Sequence, residues 1–402
     1  MINTRAQVIK SRLDQLGEYS DLDDGLCREF GSEASCKANQ LVVQWMKEAG
    51  LDARVDNMGN VRGERKNGKS RTFLMGSHLD TVTNAGKFDG PLGVILAIDQ
   101  AAHIDHTLFP HNFEAVGFAN EEGLRYPHCC LGSHLLSGSF KQDWLSTTDR
   151  HGIKLADAIT HMGGDPARIL NDSLTRDQVA GYLEVHMEQG PVLQDLGCPV
   201  GAVTGIVGQQ RYLVTVSGSI GHAGTVPMKN RRDALCAAAE ALLAIERLAL
   251  TSEELVATVG RLQVVQGAIN VIPGEVNFSL DIRHPDLEQL KVHLQELSGL
   301  LSEIEHKRKV SIDLKNVFEE KPVTCNQELT SHLLESIESS GYQMVELPSG
   351  AGHDASVLSA IAPVSMLFVR CKDGISHSPK EEVALDDIAA AIKVCDRFFK
   401  NL

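Results

Sequence analysis

The stretch GSHLDTVTNAGKFDG, residues 76–90, places His78, Asp80 and Asp89 among glycines directly after a short apolar run. A turn between two elements needs Gly, Asn or a single Asp to satisfy its backbone. It does not need an imidazole and two carboxylates. Imidazole nitrogen and carboxylate oxygen are the ligands that borderline divalent metal ions use in proteins. The stretch is therefore a candidate for one part of a metal site.

Other polar side chains also follow apolar runs. Glu121 and Glu122 come directly after one run, His186 closes another, and His377 follows a third through a loop. In an open parallel sheet, ligands gather beyond the carboxyl ends of the strands. If the runs are strands of one sheet, the three histidines and several carboxylates meet in one crevice. Asp89 is then a candidate to bridge two ions, because a carboxylate has two oxygens.

On spacing alone, other interpretations stay open. A histidine at a strand end is more often a hydrogen-bonded structural residue than a metal ligand. Asp89, which precedes Gly90, is equally suited to cap a helix. The adjacent glutamates could be a solvated pair of charges. A cluster of three histidines in HIDHTLFPH, residues 103–111, lies at a helix end and in a loop, with no apolar strand to hold it, so we do not expect it to bind metal.

Short apolar strands alternate with helices in the first half of the chain. Helical periodicity covers residues 37–49 and 90–104, and buried strands are predicted at residues 71–75 and 113–119. Strands that alternate with helices of this length predict an α/β fold with a mostly parallel sheet and helices on its faces.

The pattern changes near residue 210. The predicted elements that follow are helices at 231–250 and 287–303 and extended segments at 211–217, 255–265 and 275–284. In GEVNFSLDIRH, residues 274–284, apolar and polar side chains alternate, which is typical of a strand with one buried face. We predict an inserted α+β sandwich domain at residues 211–325 and a first domain formed by residues 1–210 and 326–402.

Composition and charge disfavour several classes of function. The chain has 402 residues and a formal net charge of −15, which is unsuited to nucleic acid or an anionic membrane as a partner. No apolar stretch approaches the roughly 20 residues that cross a bilayer, and the N-terminus lacks the apolar centre of a signal peptide. Nine cysteines without a CxxC pair favour reduced thiols and a cytoplasmic location.

Nine short motifs occur in order along the chain. They are GSHLDTV, GKFDG, ANEEG, HMEQGP, GHAGTVPM, NVIPGE, DIRH, SGAGHDA and GISHSP. Together they resemble the amidase/hydantoinase/carbamoylase family of binuclear metallo-hydrolases, from about residue 30 to the C-terminus. That family includes N-carbamoyl-L-amino acid hydrolase, metal-dependent β-ureidopropionase, allantoate amidohydrolase and ureidoglycolate amidohydrolase. One motif would be weak support, but the ordered set is specific.

The resemblance implies two divalent metal ions per subunit in the first domain. The ions would be zinc or manganese, with cobalt or nickel as alternatives. His78 and His186 are assigned to one ion, Glu122 and His377 to the other, and Asp89 to the bridge between them.

Two further carboxylates receive roles from the resemblance. Asp80 would orient His78 through its second ring nitrogen. Glu121 would be the general base and acid, which takes a proton from the attacking water and passes it to the leaving nitrogen.

The resemblance also implies substrate-binding residues, mostly in the inserted domain. Arg283 would hold a carboxylate with two nitrogens, whereas its position alone suggests an ordinary surface ion pair. Gln189 and Asn270 would add amide contacts, and His222 would stabilise the oxyanion. The inserted domain would serve as a lid and join a homodimer. His222, within GHAGTVPM, would then act on the metal site of the partner subunit.

The implied activity is hydrolysis of the carbamoyl (ureido) C–N bond of a small molecule, an N-carbamoyl-L-amino acid or a related ureido acid. Allantoate or ureidoglycolate amidohydrolase is the nearest alternative, and N-acyl amino acid or dipeptide hydrolysis is less favoured, because peptidase-like relatives usually have a carboxylate where this chain has His186. A metal-bound protein without catalysis is a further alternative, which the intact Glu121 disfavours. Leu124 and the segment 127–130 depart from the usual family pattern and leave the exact substrate open.

Overall fold

A computed structural model describes residues 2–402. The chain forms two compact units, one that runs up to Thr204 and resumes at Thr324, and one that comprises Gly205–Val323. The sequence pattern predicts divisions after residues 210 and 325. No helix among residues 2–402 is both long enough and apolar enough to cross a membrane.

Residues 2–402 contain sixteen strands and eleven α-helices. The strands are β1 (Asp52–Val55), β2 (Val61–Arg65), β3 (Thr72–His78), β4 (Asn112–Phe118), β5 (Val179–Met187), β6 (Val200–Ile206), β7 (Gly208–Ser217), β8 (Gly221–His222), β9 (Val256–Thr258), β10 (Leu262–Val265), β11 (Val271–Ile272), β12 (Glu275–His284), β13 (Ser311–Glu320), β14 (Val323–Thr324), β15 (Glu346–Ser349) and β16 (Val364–Val369). The helices are α1 (Ile2–Leu16), α2 (Glu33–Glu48), α3 (Pro91–His103), α4 (Leu131–Leu136), α5 (Leu155–His161), α6 (Val192–Asp195), α7 (Ala234–Ala249), α8 (Leu287–Arg308), α9 (Gln327–Ser339), α10 (Asp354–Leu358) and α11 (Leu385–Asn401).

The first unit is built on a nine-stranded sheet in the order β1-β2-β4-β3-β5-β16-β6-β14, with β15 also paired to β6. β3 runs parallel to both β4 and β5, and β16 runs parallel to β5. The pairs β1–β2, β2–β4 and β16–β6 are antiparallel. The sheet is therefore mixed with a parallel centre, where the sequence predicts a mostly parallel one.

The centre of this sheet is buried because helices cover it. α3 has buried side chains around its whole circumference, and it packs on β3, β4 and β5. Its approach to β5 is close: a Cβ atom at Gly93 would lie 2.0 Å from the carbonyl oxygen of Val185. This packing therefore holds β3 and β5 firmly near their carboxyl ends.

The second unit contains a five-stranded sheet, in the order β10-β12-β7-β13 with β9 paired to β12, and the small pair β8–β11. Along β12, buried side chains alternate with partly exposed ones, as the sequence predicts. The buried side chains pack with those of α7 and α8, and the set on β12 comprises Val276, Phe278, Leu280 and Ile282. The other face of β12 is polar and carries Asp281 and Arg283.

Candidate metal centre

Two histidines project from the carboxyl ends of neighbouring parallel strands. His78 is the last residue of β3, and His186 is the second-last residue of β5. The Nδ1 atom of His78 lies 3.0 Å from the backbone carbonyl of Asp80, and that of His186 lies 2.9 Å from the carbonyl of Met187. A proton on each Nδ1 satisfies these contacts and leaves the Nε2 lone pairs available. The two Nε2 atoms are 3.4 Å apart, so both can face one ion.

Asp89 lies between the histidines and offers its two oxygens in different directions. Oδ1 is 3.1 Å from Nε2 of His186 and 3.6 Å from Nε2 of His78. Oδ2 is 3.2 Å from Nε2 of His377. This is the arrangement that a carboxylate needs to bridge two ions.

The structure brings all five sequence-predicted metal ligands together. Three groups of three residues have ligand atoms within 4.8 Å of one another, and two of these groups contain Asp89. One group adds His78 and His186, and the other adds Glu122 and His377. Imidazole and carboxylate donors in groups of this kind fit zinc or manganese. The residues present therefore form a candidate metal-binding centre.

The electrostatics of the cluster also fit a cation. His78, Asp89 and His186 are almost fully buried. Burial raises the pKa of Glu122 to about 7 and raises the pKa of Glu121 well above its usual range. The pKa of Asp89 lies well below its usual range, because contacts with the histidines outweigh its burial. A divalent cation at the cluster favours ionised carboxylates and so relieves the cost of burying them.

Glu121 lies beside the cluster. Its Oε2 is 4.0 Å from Nε2 of His78, and its side chain is 11% exposed. It does not share a group with Asp89, but it forms the third group with His78 and Glu122. A carboxylate at the edge of such a centre, with a raised pKa, is suited to accept and return a proton.

Asp80 makes different contacts from those expected. Its Oδ1 lies 4.0 Å from Nδ1 of His78, whose hydrogen-bond partner is instead the Asp80 backbone carbonyl. The carboxylate accepts the backbone N–H of Glu121 at 3.0 Å and that of Glu122 at 3.2 Å. The chain turns sharply just before these amides, where Asn120 has a left-handed φ of 54°. Asp80 therefore fixes the backbone of the two glutamates.

Gln189 contacts Asp89, although the sequence assigns its amide to the substrate. Its Nε2 donates to Oδ2 of Asp89 at 3.0 Å and to the hydroxyl of Ser376 at 3.1 Å. Ser376 donates to the same Asp89 oxygen at 2.8 Å. Gln189 and His377 both have left-handed φ angles, of 60° and 54°. Backbone strain of this kind costs about 1–3 kcal/mol per residue and clusters at functional sites.

The segment 127–130, which departs from the family pattern, is tied to the same region. The backbone N–H of Cys130 donates to the Glu121 carbonyl at 3.1 Å, and its Sγ lies 4.0 Å from Oε1 of Glu121. Asn120 donates from Nδ2 to the carbonyl of His128 at 2.7 Å. The surroundings of Glu121 therefore include residues that depart from the usual family pattern.

Sequence reasoning does not single out two residues near the centre. The carboxylate of Glu381 accepts the backbone N–H groups of Phe88 and Asp89. The ring of His353 makes an edge contact with the ring of His186, with centroids 4.7 Å apart. Both residues lie in or just after the motifs SGAGHDA and GISHSP, and this position is the signal that could have pointed to them.

The remaining predicted residues lie in the second unit. Arg283 donates from Nε to Oδ1 of Asp281 at 2.7 Å and from Nη2 to Oδ2 at 3.1 Å. His222 lies in β8 opposite Val271 of β11. Asn270 directly precedes β11, and its carbonyl accepts the N–H of the residue after His222 at 2.9 Å. His222 and Asn270 are thus close together within this unit.

Comparison with known proteins identifies the family of the chain. The profile described as peptidase family M20/M25/M40 matches residues 74–401, a span that includes every metal-centre residue named above. The chain belongs to peptidase family M20/M25/M40.

Within that family, the chain is similar to several amidohydrolases. An allantoate deiminase from Arabidopsis thaliana is 40% identical over 95% of this chain and 79% of the relative. An N-carbamoyl-L-amino acid amidohydrolase from Geobacillus stearothermophilus is 37% identical over 95% of each chain. A solved amidase of the hydantoinase/carbamoylase family from Burkholderia multivorans has 31% identity and a TM-score of 0.89, covering 98% of this chain and 97% of that one. The resemblance in the motifs is confirmed.

Proposed function

We propose that the protein is a metal-dependent amidohydrolase that cleaves the ureido C–N bond of N-carbamoyl-L-amino acids or related ureido acids. The observation that carries the proposal is the position of Asp89, which offers one oxygen to the His78–His186 pair and the other to His377. The named relatives act on ureido acids, which supports this substrate class.

The chain would hold two divalent ions per subunit. His78 and His186 would bind one, Glu122 and His377 the other, and Asp89 both. Ions of this kind, when bound, polarise a carbonyl and make a nearby water more acidic. The carbonyl contacts on Nδ1 of His78 and His186 would hold the rings in the binding orientation.

Glu121 would move the protons of the reaction. Its raised pKa and its place beside the cluster support a role as base toward the attacking water and then as acid toward the leaving nitrogen. Asp80 would hold Glu121 and Glu122 in place through their backbone amides. For a carbamoyl amino acid, the products would be the amino acid, carbon dioxide and ammonia.

The second unit would supply contacts to the substrate. Arg283 would anchor the substrate carboxylate, and Asp281 accepts two hydrogen bonds from its guanidinium. Asn270 and Gln189 would contact substrate amides, and His222 would stabilise the oxyanion. We further propose a cytoplasmic homodimer in which His222 serves the partner subunit's reaction. Exposed apolar side chains of this unit, including Leu213 and Ile220, support a self-association surface.

Allantoate is the second candidate substrate. The plant allantoate deiminases, at 38–40% identity, favour it as strongly as the bacterial carbamoylases favour carbamoyl amino acids. Both candidates carry a carboxylate and a ureido group, so the proposed residues suit either.

A substrate panel tests the proposal directly. The protein is stripped with a chelator, and ammonia release is measured from N-carbamoyl-L-amino acids, allantoate and N-acetyl-L-amino acids before and after addition of Zn²⁺ or Mn²⁺. We expect no activity in the stripped protein and recovery on ureido substrates without refolding, because the ligands are set by a preformed sheet. Full turnover after chelation, or hydrolysis of acetyl substrates alone, would reject the proposal.

A further inference from the structure

The carboxylate of Glu381 is buried between two loops that carry metal-centre residues. Its Oε1 accepts the backbone N–H of Phe88 at 2.7 Å and that of Asp89 at 3.0 Å. The residue is 6% exposed. It lies four positions after His377 in the sequence. Glu381 therefore connects the loop of His377 to the loop of Asp89.

Two backbone amides of the turn around Asp89, those of Phe88 and Asp89, depend on a side chain for their acceptor. Among residues 2–402, Glu381 is the acceptor for both amides, and neither amide has a backbone partner. Gly90 adopts a positive φ of 80°, and a Cβ atom there would lie 2.4 Å from the ring of His78. A side chain at position 90 would clash with His78, so it could not stabilise the turn. Without this acceptor two buried N–H groups would be left unsatisfied, which is costly, so Glu381 is an external brace of the turn.

A glycine at position 86 makes space for the Glu381 carboxylate. A Cβ atom at Gly86 would lie 2.3 Å from Cβ of Glu381 and 2.6 Å from its Oε1. Any residue other than glycine at position 86 would displace the Glu381 side chain. The contact therefore depends on two positions that are distant in the chain.

Glu381 does not belong to the candidate ligand groups. It faces the backbone amides behind Asp89, and its Oε2 has no hydrogen-bond partner among residues 2–402. Asp80 makes the same kind of contact on the other side of the centre, where it accepts the amides of Glu121 and Glu122. Asp80 and Glu381 therefore both accept hydrogen bonds from backbone segments that carry candidate ligands.

We propose that Glu381 is the positioning residue for Asp89: by accepting the amides of Phe88 and Asp89, it holds the bridging carboxylate at a fixed distance from His377 and the two strand-end histidines. The inference rests on the proposed function, in which Asp89 bridges two ions. It concerns metal binding and can be tested without a substrate.

The test compares Glu381→Gln with Glu381→Asp in the full-length protein. Gln keeps the length of the side chain and an acceptor oxygen, whereas Asp keeps the charge but is one methylene too short to reach the amides. Binding of Zn²⁺ to the chelator-stripped proteins is measured by titration calorimetry. We expect Gln to bind Zn²⁺ within a few-fold of the parent and Asp to bind about 10–100-fold more weakly.

Glu382→Gln is the matched control. Glu382 is the next residue, but it is exposed and pairs with Lys372 at 2.8 Å. The Glu382→Gln variant should bind Zn²⁺ with the same affinity as the parent. Thermal unfolding of the metal-free proteins is measured alongside, and the Asp variant should lose metal affinity while its metal-free Tm stays close to that of Glu381→Gln.

Two results would overturn the inference. If Glu381→Asp binds Zn²⁺ as tightly as Glu381→Gln, reach to the amides does not matter. If the affinity loss appears only with an equal loss of metal-free Tm, Glu381 is a structural residue alone. A parent that binds Zn²⁺ but releases no ammonia from any ureido substrate would reject the proposed function, and the order of the variants would still decide the role of Glu381.

Discussion

The metal centre of the first unit and the polar face of β12 in the second unit hold their side chains in different ways. In the metal centre, backbone groups hold three of the buried side chains: carbonyls orient His78 and His186, and amides hold Asp80. On the β12 face, side chains hold one another. Asp281 accepts from Arg283 and also from Arg211, and Arg283 and Asp281 are each 26% exposed.

This difference separates fixed geometry from adaptable geometry. Buried groups that are held by the backbone have one arrangement, which suits chemistry that depends on sub-ångström positions. Groups that are partly exposed and held by other side chains would be able to exchange partners in the proposed binding of a substrate carboxylate. Substitutions in the metal centre should therefore reduce turnover, and substitutions on the β12 face should chiefly weaken substrate binding.

The largest effect is expected from Glu121→Gln. The amide cannot accept or return a proton, so kcat should fall about 10²–10⁴-fold, while Zn²⁺ content stays near that of the parent. Ammonia release and metal analysis measure the two quantities. Glu346→Gln, an exposed glutamate elsewhere in the first unit, is the control. An active Glu121→Gln enzyme would place the base elsewhere, and a variant that loses its metal would make Glu121 a ligand.

A smaller effect is expected from Arg283→Lys. A lysine replaces a planar two-nitrogen grip with a point charge, so KM for carboxylate substrates should rise about 10–100-fold with little change in kcat. Steady-state kinetics on a carbamoyl amino acid and on its uncharged amide separate the two effects. If the parent enzyme hydrolyses both equally well, Arg283 does not anchor the carboxylate. If kcat falls and KM does not change, the contrast between the two regions is wrong.

The smallest effect concerns stability and lies outside both regions. Burial, with Lys141 and His128 nearby, lowers the pKa of His134 from 6.5 to about 4. Between these values the unfolded chain binds a proton that the folded chain does not, so stability falls as the pH drops from about 6.5 to about 4. The loss should be about 1–2 kcal/mol, since the ring is partly exposed.

Urea unfolding at pH 7 and pH 5 of the parent and of His134→Gln checks this prediction. The variant should lose less stability across that interval, because it has no ring to protonate. Equal losses would show that other groups control the acid response. The test also separates a pH effect on folding from a pH effect on the metal centre.

The sequence predicts which residues gather at the site, but not what supports them. The five candidate ligands follow from residue type and from the family resemblance of the ordered motifs, and β12 follows from its alternation. The contact between Glu381 and Phe88 joins residues 293 positions apart, and no local pattern encodes which amides a remote carboxylate will meet. The partner of the Asp80 carboxylate likewise depends on how the backbone turns at Asn120.

The boundaries of helices and strands also depend partly on local sequence and partly on tertiary contacts. The sequence predicts a helix at residues 37–49, whereas α2 begins at Glu33, because the Ser32 hydroxyl caps it by accepting the N–H of Ser35. The strand predicted at residues 71–75 continues to His78, because β4 pairs with it over its full length. Local capping could have been found in the sequence, but the extension of β3 depends on its tertiary partner.

The place of β16 in the first sheet has a consequence for synthesis of the protein. β16 lies between β5 and β6, yet it is the last strand of the chain. A ribosome that has just made β6 must add roughly 160 further residues before β16 emerges, which takes roughly 10–30 s at common elongation rates. During that interval the facing edges of β5 and β6 have no strand between them, and open edges recruit strands from other chains. His377 follows β16, so the proposed ligand set is incomplete in the nascent chain until β16 has also been made.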